Sequence, residues 1–266
     1  MRTQIWNVLT GMRSVNRSIP ALTTVLVLII LWELVVEWQD TPRWLLPSPV
    51  DIGIAMIDSA GLLMTHAGIS IIEMSLGFVI ALSLGVLVAV LSHLSETIRR
   101  SIYPLLVISQ SIPVIVLAPL LVIWFGFGIA PKIALIVLVC FFPICVSFLG
   151  GLQTADNEIL TLLRAMGASR WQLFRIGTLP AALPALASGS KISATYAVIG
   201  AIIAEWLGAS KGLGVFLIRS QNSFRADRAM AVIVIVSLIA IAAYLFIELL
   251  ARYSMPWHYR QQGSKK

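Results

Sequence analysis

The chain has 266 residues, 59% of them apolar and 12% charged, where soluble domains carry about 45–50% and about 25%. A mean hydropathy of +0.94 excludes a soluble domain, and the length suits roughly five to seven membrane spans in one domain. The net charge of +7 is scattered over connecting segments and forms no basic stripe, which excludes a nucleic-acid groove and fits the Lys/Arg excess of cytoplasmic loops.

Residues 1–18 are polar, with Arg2, Arg13 and Arg17, and precede the apolar run Ile19–Val36. The run is too long for a signal-peptide core, and Trp38-Gln39-Asp40 offers no small-residue cleavage site, so it reads as a retained first span. Residues 37–65 follow on the other side, with the turn Pro47-Ser48-Pro49 and a short amphipathic helix from about Asp51 to Leu63. The second span is Ile69–Leu91, and the third covers about Ile102–Phe125. Pro104 falls in the first turn of that third span, whereas Pro113 and Pro119 remove backbone hydrogen bonds in its middle and predict a kinked or unwound helix. Irregular backbone at membrane depth is tolerated where it faces protein or a water-filled cavity. Trp124-Phe125-Gly126-Phe127-Gly128 reads as an interfacial turn, and Pro131 starts a fourth span ending near Gly150. Cys140 and Cys145 lie inside that run on different helix faces and read as inert buried thiols.

Between Gln153 and Pro184 lies an amphipathic, non-spanning stretch. Asp156 can cap a first helix with Ile159, Leu162, Leu163 and Met166 on one face, too apolar to be left in water. Gly167 suits the left-handed residue that ends it. Ser169 and Gln172 form a capping box for a second helix carrying Trp171, Leu173, Phe174 and Ile176, which Pro180 and Pro184 are expected to stop while starting the next segment. Arg164, Arg170 and Arg175 put the stretch on the cytoplasmic side. A fifth span, Pro184–Trp206, bears the stripe Gly189, Ser193, Ala197, Ala201 at four-residue spacing, which lets helices approach closely and is expected at the contact with a second copy. Glu205–Arg228 forms a long outer loop, and Ala229–Leu250 is the sixth span. With both termini inside, twelve positive residues fall on the inner side and six on the outer, Lys132 among the latter. This reading divides the chain into a cytoplasmic segment 1–18, one permease-like domain 19–252 and a tail 253–266.

Polar groups inside spans mark pathways or interfaces. Glu73, Gln110, Lys191, Tyr196, Glu205 and Glu248 are the candidates. Lys191, Glu205 and Glu248 sit near span ends, where snorkelling to water competes with a functional role. Gln110, beside the break at Pro113, is taken with Pro113, Tyr196 and Glu205 to line a pathway; for Tyr196 the competing role is core packing. His66, His93 and His258 fall in separate loops, and no catalytic or ATP-binding motif occurs. Lys211 in GASKGLG lacks the spacing of a phosphate loop, so energy for active transport must come from another polypeptide.

The Gly167 to Leu179-Pro180 spacing resembles the cytoplasmic EAA loop of ABC importer permeases, and LPSPVDI, IPVIVLAPLLVIWFGFG and AEWLGASKGLG resemble the sulfonate/taurine/nitrate/thiamine-precursor group of that family. KISATYAVIGAIIAEWLGASKGLG, SQNSFRADR and MPW look most like permeases for the pyrimidine precursor of thiamine, with riboflavin permeases also similar. The chain departs from the loop pattern where Thr161, Leu162 and Leu163 replace Glu-Ala-Ala and where Gly177 replaces an aliphatic residue. The resemblance implies an all-α membrane protein of six transmembrane helices with a cytoplasmic coupling helix, as in type I importers, in the bacterial inner membrane. It also implies a second copy of the chain, two ABC ATPase subunits, an extracytoplasmic substrate-binding protein, and no cofactor in the permease itself, ATP being bound by the ATPase. Ile159, Leu162, Leu163, Arg164, Met166, Gly167, Ala168, Leu179 and Pro180 are the expected ATPase-coupling residues. A binding-only vitamin-capture module is the competing class; it would lack a coupling helix. A channel or sensor is a third, separated by whether an ATPase co-purifies.

Overall fold

A computed structural model describes residues 20, 23–206 and 209–258, apart from the side chain of Gln110. The expected polar segment 1–18, the start of the first span and most of the tail lie outside the described residues. All regular structure among the described residues is helical: α1 (23–38), α2 (Pro49–Asp58), α3 (Ala60–Leu94), α4 (Glu96–Ser111), α5 (Val114–Phe125), α6 (Ile129–Gln153), α7 (Asn157–Ala165), α8 (Arg170–Gln172), a π-helical turn Leu173–Thr178, α9 (Leu179–Glu205), α10 (Leu213–Asn222) and α11 (Ala226–Ser254). Among the described residues α3, α6, α8 through α9, and α11 are each long and apolar enough to cross a membrane, and α4 with α5 is so only when taken together, the pair being bent by 104° at its break, as in a broken span or a re-entrant loop. The chain is thus an all-α integral membrane protein.

The described residues fall into two compact units, one drawn from within 1–60 and 219–232, the other from within 61–218 and 233–266. In the smaller unit, Ser48 caps α2 through a reciprocal box with Asp51, and the Val50 N–H donates to Glu33 Oε2 of α1 at 3.2 Å. Ile52 and Ala55 are its buried positions.

In the larger unit α6 is the spine. Ile136, Cys140 and Ile144 are fully buried between Ala81 of α3 and Ala197 and Ala201 of α9. A Cβ on Gly189 would stand 2.6 Å from the Pro143 carbonyl oxygen of α6, so glycine permits that approach. The Ser193 hydroxyl donates to the Cys140 carbonyl at 2.8 Å. The small-residue stripe of α9 therefore packs on α6 of the same chain and is buried there, rather than presented to a second copy. A second stripe, Gly77, Ala81, Gly85 and Ala89 on α3, is also buried. It has the same spacing, and a Cβ on Gly77 would meet Ile136 at 2.5 Å.

Several boundaries differ from the sequence expectations. The break after α2 falls at Ser59, so α3 begins well before Ile69 and includes His66, which is buried and not in a loop. Pro104 lies in the interior of α4 and not in a first turn. Only Pro113 breaks the third span; Pro119 sits inside α5 without ending it. Pro180 starts the next segment as expected, but neither it nor Pro184 stops the helix before it. The π-helical turn carries α8 into α9, where Pro180 occupies the first turn, a position that needs no amide hydrogen, and Pro184 lies inside the helix. The loop 205–228 contains α10, which the sequence reading left unassigned.

Candidate functional site

The stretch between α6 and α9 folds through local signals. Asp156 Oδ1 accepts from the Glu158 N–H at 2.8 Å and starts α7. At its end the Ala168 N–H donates to the Leu163 carbonyl at 3.0 Å and the Gly167 N–H to that of Arg164 at 2.9 Å, the paired closure of a Schellman motif. Gly167 has φ +84°, and nothing lies within 4 Å of a Cβ added there; glycine is required by conformation, not by space. The Gln172 N–H donates to Ser169 Oγ at 3.3 Å, and Gln172 Oε1 accepts from the Ser169 N–H at 2.7 Å, starting α8.

The single apolar face expected on α7 divides in two. Leu160 and Leu163 turn inward over Gly177, where an added Cβ would meet Leu160 Cδ2 at 2.7 Å. The glycine in an aliphatic position thus makes room for α7 to fold back. Ile159, Leu162 and Met166 face outward at 52%, 62% and 76% exposure, and Trp171 and Ile176 are also exposed. Arg164 and Arg170 line a groove of about 570 Å³ with His93, Asn157, Leu160 and Phe174. Ala168, Leu179 and Pro180 are half-buried, and Leu179 packs on the core around Phe148 and Leu152. Of the residues expected to couple, Ile159, Leu162, Arg164 and Met166 are presented outward, while Leu163, Ala168, Leu179 and Pro180 hold the stretch in place.

Near the middle of α9, Tyr196 and Ile199 face the broken span. With Ser109, Ile112, Val114 and Leu138 they line a cavity of about 210 Å³, and Pro113 is the N-cap residue of α5 at the break. Every side chain on that wall is uncharged. Gln110 lies in α4 one turn from Pro113, with its side chain outside the described atoms. Lys191 Nζ pairs with Glu248 Oε2 at 2.9 Å, and Arg252 binds the same carboxylate at 2.7 Å.

Glu205, expected on the pathway or at the water boundary, is buried in this structure. It is 1% exposed. Ser70 Oγ donates to its Oε1 at 2.6 Å and the Gly214 N–H to its Oε2 at 2.6 Å. Ser70 Oγ accepts from the Leu213 N–H at 2.9 Å, and the Gly212 N–H donates to His66 Nδ1 at 2.9 Å. His66 and Ser70 of α3 and Glu205 of α9 therefore clamp the segment 212–214. Gly212 has φ +131°, and an added Cβ would stand 2.2 Å from the Glu205 carboxyl carbon, which is why GLG is required there. Beside the clamp, Lys132 forms a buried ion pair with Glu73, so this lysine, counted among outer loop charges, is held in the protein interior. His66, Ser70 and Lys132 were missed as a site; their signal is that His66, Ser70 and Glu73 share one α3 face at spacings of four and three residues.

The comparisons agree with this architecture. Solved structures of like fold include the MetNI methionine ABC transporter in inward-facing form, with TM-score 0.53 and 22% identity over 71% of this chain and 94% of that chain. Another is an amino acid ABC transporter with histidines, with TM-score 0.55 and 18% identity over 76% and 97%. Formylaminopyrimidine transport permease protein ThiX of Halalkalibacterium halodurans is 40% identical over 89% of this chain and 94% of its own length. Taurine transport system permease protein TauC of Escherichia coli is 31% identical over 88% of each. The description "binding-protein-dependent transport system inner membrane component" matches residues 81–257, and the chain belongs to that family as a permease subunit of an ABC importer.

Proposed function

We propose that this permease moves a small neutral heterocycle, a pyrimidine precursor of thiamine, across the inner membrane as a homodimer of six-span subunits. Two ABC ATPase subunits and an extracytoplasmic binding protein complete the importer, with both termini of the permease inside. The observation that carries the substrate reading is the 40% identity with a formylaminopyrimidine permease across most of both chains. The uncharged lining of the cavity by Tyr196 supports it over an anionic sulfonate or the zwitterion taurine, because burying charged groups without opposite charges on the protein is costly. The exposed Ile159, Leu162 and Met166 are the apolar edge that a groove on the ATPase would cover. Closure of the ATPase dimer then pulls on α7 and α8. The helix running from α8 through the π turn into α9 carries the movement to Tyr196 and the break at Pro113, and access to the cavity alternates.

Uptake by the complete importer in vesicles, with formylaminopyrimidine, riboflavin and taurine in competition, tests the substrate. Displacement of labelled formylaminopyrimidine by taurine at equal concentration would contradict it. Tyr196→Ala is expected to lower uptake about tenfold while the ATPase still co-purifies; this corresponds to about 1.4 kcal/mol.

A further inference from the structure

Helix α2 presents two apolar faces, of which only one is buried. Ile52 and Ala55 are buried. Val50, Ile54 and Ile57, spaced four and three residues apart, form the other face and are 58%, 52% and 78% exposed. Asp51 and Asp58 project from the flank between the two faces, a quarter turn or so from the exposed aliphatic row at 100° per residue; Asp51 pairs with Arg43 at 3.2 Å. Aliphatic row, acidic flank and protein-facing row thus divide the helix among three surroundings.

The level of α2 identifies the first of them. The Val50 N–H bond to Glu33 Oε2 ties the start of α2 beside α1 five residues before α1 ends at position 38, about 7.5 Å back along its axis. The connection folds back on itself instead of reaching into water: the Leu45 and Leu46 N–H groups both donate to the Pro42 carbonyl. Trp38 and Trp44, which flank this level, are exposed, and indoles concentrate where membrane meets water. α1 itself is apolar and exposed on nearly every side.

We propose that α2 lies in the membrane–water interface, with Val50, Ile54 and Ile57 in the lipid acyl boundary and Asp51 and Asp58 toward water. The exposed row is purely aliphatic and carries neither the aromatic nor the arginine anchors of protein interfaces, which favours lipid over a protein occupant. This inference rests on α1 being a membrane span, which is part of the permease reading.

The experiment uses the complete importer in phosphatidylcholine/phosphatidylglycerol vesicles. A nitroxide is attached singly to Leu28→Cys on α1, and to Ile54→Cys, Ile57→Cys and Asp58→Cys on α2; both native thiols are buried. At 54 and 57, collisions with oxygen should exceed those with a water-soluble nickel chelate several-fold, as at 28, with the reverse at 58. Nickel access at 54 and 57 would overturn the proposal by placing the face in water. Shielding from both reagents there would overturn it in favour of a protein partner. Nickel access at 28 would overturn the span itself, which separates failure of the wider reading from failure of this one.

Discussion

The two ends of α9 are built on opposite principles. At its start, α7, α8 and the π turn are shaped by neighbouring residues, and the side chains they present are apolar and exposed. At its end, about 40 Å away by helix rise over 27 residues, Glu205 is buried among donors that lie far away in sequence. A region proposed to seat a partner keeps its apolar surface outside and spends little on its own packing. A region that holds the protein's own loop satisfies every atom of Glu205 internally. The first should therefore be sensitive in function and tolerant in folding, the second the reverse.

Glu205→Ala breaks this comparison most severely if it is right. It leaves the Gly214 N–H unpaired in a buried site and the Ser70 hydroxyl with only its longer bond to the His66 carbonyl at 3.2 Å, a loss of about 3–5 kcal/mol together with the cavity, read as a lowered unfolding midpoint of the purified protein in detergent. An unchanged midpoint would mean that the clamp contributes nothing. Gly212→Ala comes next, at about 2–4 kcal/mol, since it adds both a positive-φ cost and a collision with the Glu205 carboxylate.

The same contrast explains what the sequence could tell. Asp156, Gly167 and the Ser169/Gln172 pair are signals within four residues of their targets, and each acts as expected. The bond between Ser70 and Glu205 spans 135 residues and that between His66 and Gly212 spans 146; no local pattern announces either. The stripe on α9 was legible as a close helix contact, but spacing alone does not say which helix approaches, and the answer is α6. The stop expected at Pro180 failed because proline fits a first turn, and the π-helical turn before it adjusts the register. The splitting of the α7 face follows from Gly177, whose missing side chain draws Leu160 and Leu163 inward.

Smaller effects sharpen the contrast. Ala197→Leu overpacks the α6–α9 contact and should cost about 1–3 kcal/mol of protomer stability. A variant that unfolds normally yet loses self-association would return the stripe to the interface between copies. Gly167→Ala meets no atom and pays only for its positive φ, about 1–2 kcal/mol. Its unfolding midpoint should therefore fall less than that of Gly212→Ala, and the opposite order would remove the distinction between conformational and steric need.

The central claim is that the outward row on α7 seats the ATPase. The most direct measurement is made on the double variant Leu162→Asp, Met166→Asp, whose side chains touch little of the protein's own core. The account predicts a normal unfolding midpoint and membrane insertion, with loss of ATPase co-purification and of solute-stimulated ATP hydrolysis in reconstituted vesicles. A variant that retains the ATPase and hydrolyses ATP in response to solute at the unmodified rate would contradict it.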